Sequence, residues 1–107
     1  MPDYDDMQRM RHLFTLYTSD TVAKNKAVMA WTTAEKELCL AIAIYGISDK
    51  LAWKKQCIEL MKEHVSYRPV WEKYCDGKAG EKLYSNSLKA IENETNVLKK
   101  IHEQTPD

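Results

Sequence analysis

The side chains best able to ligate a metal or attack an electrophile are three cysteines and three histidines. Cys39, Cys57 and Cys75 form no CxxC pair and no Cys/His cluster, so zinc-ligand spacing and a redox dithiol are both missing. His12, His64 and His102 fall on three separate predicted helices, with no partner four residues away. Metal sites built across helical bundles usually use Glu-x-x-His pairs, and none occurs here. Asp3, Asp5 and Asp6 open like a calcium loop, but Phe14 stands where the bidentate glutamate belongs and the loop glycine is missing. Those aspartates instead suit the positive end of a helix. There is no GxSxG elbow, HExxH, P-loop or Gly-rich dinucleotide turn, and Glu92 and Glu94 lie on different sides of a helix. The expectation is no catalytic residue, no metal, no cofactor and no enzyme. An odd cysteine count without a close pair predicts a reducing compartment, with all three thiols acting as small buried apolar groups.

Charge narrows the partners. Lys plus Arg is 16 and Asp plus Glu is 16. This balance lacks the basic footprint of a protein held on nucleic acid by phosphate neutralisation. Lys54, Lys55, Arg68 and Lys73 remain as nucleic-acid contacts in the alternative reading below. The longest uncharged run, Leu38 to Ser48, has 11 residues, too few to span a bilayer. The opening Met-Pro-Asp-Tyr-Asp-Asp is acidic and has no apolar h-region, so no secretory signal is expected. An intracellular setting, cytoplasmic or nuclear, follows as the expectation.

The elements that must carry these residues read as helices. Gly and Pro number 3 each, and no Asn-Gly or Asp-Gly sits between alternating strands. The pattern predicts an all-α fold: one domain over 1–107, a compact bundle of about five helices with a long C-terminal amphipathic helix. Met7, Met10, Phe14 and Tyr17 mark a first helix, with Leu13 widening its stripe. Thr18-Ser19-Asp20 reads as a stop and recap, and Thr32 with Glu35 matches a capping box. Leu38 to Tyr45 is apolar all round and is expected in the middle of the bundle, stopped by Gly46. Ser48 and Ser66 are read as caps of two further helices, with Pro69 in the first turn of the second. Asp76 to Gly80 reads as a loop feeding a helix over 80–104. There Tyr84, Leu88, Ile91, Thr95, Leu98 and His102 form a heptad-like seam.

The segment Ile47 to Cys57 is echoed 18 residues later by Val65 to Cys75, with Ser, Trp, Lys and Cys repeated. Each copy places a Trp inside a helix and a Cys one turn later. The stretch Trp31-Thr32-Thr33-Ala34-Glu35, then Leu38, Ala41, Ile42 and Tyr45-Gly46, then Trp53-Lys54-Lys55, resembles the first half of a Myb/SANT-type domain. Trp71 would stand as the third family tryptophan. The resemblance covers 31–75 and implies a tri-helical core. It also implies engagement of nucleic acid, or of proteins such as histone tails. The third helix, Ser66 to Glu72, departs from the family in being short and not basic.

Three functions follow. The first is a non-enzymatic interaction module, an adaptor or regulatory subunit. It would bind a protein partner or its own copy through Tyr84, Leu88, Ile91, Leu98 and Ile101. The second is Myb/SANT-like nucleic-acid or chromatin binding through the helix after Ser66. The third is a small helical inhibitor or immunity-type protein. No membrane partner is expected.

Overall fold

The computed structural model describes residues 4–104, apart from the side chains of His102 and Gln104. Pro2, Asp3 and Pro106 lie outside the described residues. The elements are α1 (Tyr4–Ile44), α2 (Trp53–Glu63), a 3-10 turn (Val65–Tyr67) and α3 (Arg68–Gln104). No strand occurs among the described residues. The all-α expectation holds. The compact bundle of about five helices does not: among the described residues there are three α-helices, and the contacts divide into two compact units.

The expected breaks fail because their side chains are used inside a helix. Thr18 Oγ1 donates to the Phe14 carbonyl at 3.0 Å, and Thr32 Oγ1 donates to the Val28 carbonyl at 2.7 Å. A hydroxyl bonded one turn back into its own helix is not capping a new one. Asp20 accepts a hydrogen bond from the Ser87 hydroxyl. Helix α1 therefore runs through both expected starts.

The stop at Gly46 is real. Gly46 has φ +66°, its N–H reaches the Ala43 carbonyl at 3.3 Å, and the Ile47 N–H reaches the Ile42 carbonyl at 3.1 Å. That pair of bonds is the Schellman closure, which favours glycine at its left-handed position. Ser48 does not cap a helix. Its Oγ accepts the Lys50 N–H across a turn, and α2 starts five residues later after extended Ala52. Ser66 lies in the 3-10 turn, and Pro69 falls in the first turn of α3 as expected.

The second unit, residues 26–80, holds the larger core. Leu38, Ala41, Ile42, Cys57 and Leu60 are buried together, with Trp53, Met61, Val70, Trp71 and Tyr74 packed against them. Tyr74 meets all three tryptophans: Trp31 at 6.1 Å and Trp53 at 5.7 Å edge-on, and Trp71 stacked at 5.4 Å. Such ring pairs add to plain area burial. The 38–45 run is not buried all round: Cys39, Leu40, Ala43, Ile44 and Tyr45 are exposed. Tyr45 stacks on His64 at 3.7 Å.

The expected loop at Asp76 to Gly80 is helical, and its glycines serve contact instead. A Cβ on Gly77 would lie 2.7 Å from Trp31 Cβ and 2.8 Å from the Ala27 carbonyl oxygen. One at Gly80 would lie 3.2 Å from Ala27 Cβ. Backbone meets backbone here, and only glycine fits at 77.

The first unit pairs residues 4–25 of α1 with 81–104 of α3. Arg9 reaches Glu94 and Ser87 reaches Asp20, so the numbering runs in opposite directions and the pair is antiparallel. Its only buried hydrophobic side chains among the described residues are Leu13 and Ile91. In the stripe Met7, Met10, Phe14, Tyr17, Met10 is half-buried and Phe14 remains 73 % exposed, so the stripe is not fully core.

Two outcomes test these placements. Gly77→Ala should lose about 1–3 kcal/mol in urea unfolding through overpacking. Gly80→Ala should stay near neutral, because helix propensity returns up to about 1 kcal/mol. A Gly77→Ala that stabilises would show an open site. Cys39 and Cys75 are exposed and Cys57 is fully buried, which corrects the expectation of three buried thiols. A disulfide reagent should therefore titrate two thiols in the native protein and the third only on unfolding; three fast thiols would contradict the packing.

Candidate functional site

The first unit carries an open apolar groove of about 540 Å³. From α1, Met10, Leu13, Phe14 and Tyr17 line it; from α3, Ile91, Glu92, Thr95, Asn96 and Lys99. It forms because the α1–α3 seam closes on Leu13 and Ile91, while the residues beside them stay uncovered. Aromatic and thioether groups make one wall. Polar and charged groups make the other, with Thr95 Oγ1 already donating to the Ile91 carbonyl at 2.8 Å.

One ion pair links the two helices of the first unit. Arg9 Nε donates to Glu94 Oε1 at 2.6 Å and Nη2 to Oε2 at 2.8 Å, a bidentate fork. The hydrogen bonds from Arg9 hold the Glu94 carboxyl below its ordinary range, and the same bonds raise the Arg9 guanidinium. Burial opposes both shifts.

The five seam residues read from the sequence scatter in exposure. Ile91 is buried and lines the groove. Tyr84, Leu88 and Leu98 are half-buried, and Ile101 is exposed. The groove thus shares one residue with that set. Met10, Phe14 and Tyr17 were legible as a stripe, but their role as an open wall was not. Glu92, Asn96 and Lys99 gave no signal except their spacing off the seam.

The four cations do not share one cleft. Lys54 and Lys55 are exposed at the start of α2. Arg68 borders a cleft of about 460 Å³ that also holds Lys62, Trp71 and Glu72, and Lys62 is paired with Glu59 at 3.1 Å. Lys73 borders a different cleft of about 480 Å³ beside Met29 and Val70.

Two of the three thiols are shifted away from the reactive thiolate. Burial pushes the Cys57 thiol up to about 11, and burial with nearby Glu35 raises Cys39. Reactive cysteines need the opposite shift. Among the described residues no three His, Cys, Asp or Glu side chains are grouped to hold a metal ion. No described helix is long and apolar enough to cross a membrane. Comparison with known proteins gives no match: no protein family, no curated protein and no solved structure is similar to this chain.

The Glu94 shift has a sign that can be checked. A carboxylate with a depressed folded pKa stabilises the fold above its unfolded pKa, about 4.3 for glutamate. That contribution is lost as the pH falls through the depressed value. Wild type should therefore exceed Glu94→Gln in thermal stability near neutrality, and the two should converge in acid. The gap should be small and shrink with salt, because both side chains are more than two-fifths exposed. A gap independent of pH would show that the ion pair is not its source.

Proposed function

We propose that the chain is a non-enzymatic helical interaction module that binds a partner helix in the first unit's groove. One observation carries this reading. The stripe Met7, Met10, Phe14 and Tyr17 of α1 is only partly covered, with Phe14 73 % exposed beside a cavity of about 540 Å³.

Isolated helices are marginal in water, and packing of an apolar face supplies most of their stability in proteins. In the first unit the buried hydrophobic side chains among the described residues are two. Met7, Phe14, Tyr17, Leu83, Val97 and Ile101 all remain exposed there. Scattered apolar residues are ordinary on surfaces, but a lined groove rimmed by polar groups is the form that docking sites take. A groove between two helices accepts a third one, through anchors spaced three and four apart. Phe14 and Tyr17 are rigid rings of the type that dominates interface energetics.

The interaction acts through shape and apolar contact, with Glu92 and Lys99 setting orientation at the rim. Adaptor or regulatory subunit is the role that such a surface serves without any reactive group.

Site-directed photocrosslinking in the cell that makes the protein tests this. Benzoylphenylalanine at position 14 should capture a protein; the same group at the exposed Lys89 on α3 should not. Absence of any protein adduct at position 14, with the variant folded and expressed, would overturn the proposal.

A further inference from the structure

We infer that the face bearing this groove is covered by the same face of a second copy of the chain, the two first units pairing about a two-fold axis into a four-helix bundle. The inference rests on the interaction reading above and names its partner.

A two-fold contact requires a surface that is its own complement. On α1 the exposed ring Tyr4 and the groove ring Tyr17 lie at equal distances from the midpoint between Met10 and Arg11. Met7 and Phe14 lie at equal, shorter distances from the same midpoint. Two α1 helices laid antiparallel about that point would set tyrosine against tyrosine and Met7 against Phe14 in both directions. Thioether–aromatic contacts of this kind are favourable and adaptable.

The α3 wall has the same property in charge. Glu92 and Lys99 are equidistant from the midpoint between Thr95 and Asn96, and all four line the groove. Antiparallel pairing of α3 with its copy about that midpoint places Glu92 against Lys99 twice. It also leaves Thr95 and Asn96 to bond across the axis. A helix carrying two like charges at those positions would repel itself instead.

Both midpoints fall at one level of the helix pair. The Ser87–Asp20 hydrogen bond joins two short side chains and so marks which residues of α1 and α3 lie side by side. Counting nine to ten residues back from Asp20 reaches the α1 midpoint, and eight to nine forward from Ser87 reaches the α3 midpoint. The mismatch is one residue, about 1.5 Å of helix rise. A single axis therefore serves both helices, and α1 meets its copy where α3 meets its own.

Light scattering of the full chain after gel filtration, over a dilution series, tests the pairing. Wild type should show twice 12.5 kDa. Glu92→Lys alone and Lys99→Glu alone each turn two attractive contacts into repulsive ones. Each should weaken the dimer by about tenfold. The double exchange Glu92→Lys with Lys99→Glu should restore it, and mixing the two single variants should give a heterodimer. Circular dichroism confirms that each variant keeps its helices. A wild type that is monomeric at every concentration overturns the second copy as partner. So does a dimer that ignores all three variants. The crosslink at position 14 separates the two failures. An adduct with a different protein leaves the interaction module standing and removes only the self-pairing, whereas no adduct removes both.

Discussion

Gly77 has only a hydrogen where any other residue would place a carbon against Trp31 and Ala27, and the packing of the second unit depends on that vacancy. With the two backbones in contact, Trp31 can reach Tyr74 one turn earlier on α3. Lys78 on the next residue can sit 4.1 Å over the same indole. Tyr74 is then placed where Trp53 from α2 and Trp71 from α3 also arrive. Below those rings, Leu38, Cys57 and Leu60 close without accessible surface. Large rings gather here because a very small residue sits beside them. That alternation of large and small is how close-packed interiors avoid voids.

The first unit uses α1 and α3 differently. Its cross-helix contacts are directional: a bidentate Arg9–Glu94 fork and a Ser87–Asp20 hydrogen bond. Contacts of that kind fix register more than they add stability, since exposed ion pairs are worth little. Leu13 and Ile91 supply the apolar closure. This antiparallel pair is held in register by polar links, and several of its apolar side chains, Phe14 among them, stay exposed. The second unit has what a self-sufficient core needs; the first has a defined orientation and an uncovered groove.

Much of the fold was legible from residue types. The scarcity of glycine and proline and the three-and-four spacing gave helices throughout, and Gly46 gave a stop that the Schellman bonds explain. The number of helices was not legible, for a local reason. Thr18 and Thr32 have the same chemistry at a cap and in mid-helix, because a hydroxyl can accept from a free N–H or donate to a carbonyl one turn back. Sequence supplies the hydroxyl; only the neighbouring backbone decides which bond forms. Gly77 and Gly80 were ambiguous in the same way. Glycine serves a loop or a close helix contact, and the deciding group, Trp31, lies more than forty residues away along the chain.

The groove was hidden by a subtler effect. A scan for apolar periodicity finds the strongest stripe and assigns it inward. On α1 that stripe is Met7, Met10, Phe14 and Tyr17. The stripe that approaches α3 is Leu13, Asp20, Ala27 and Ala34, spaced by seven, with one charged residue and two alanines. Small side chains suit close backbone approach and Asp20 suits a hydrogen bond, yet neither registers as hydrophobic. The conspicuous stripe and the packed stripe thus adjoin on one helix, and both meet at Leu13 in the groove. Rings and thioethers on solvent carry a hydration penalty that a purely structural helix could have avoided with polar residues at the same positions. Met10, Phe14 and Tyr17 nonetheless line the groove, opposite a wall that carries one charge of each sign, Glu92 and Lys99.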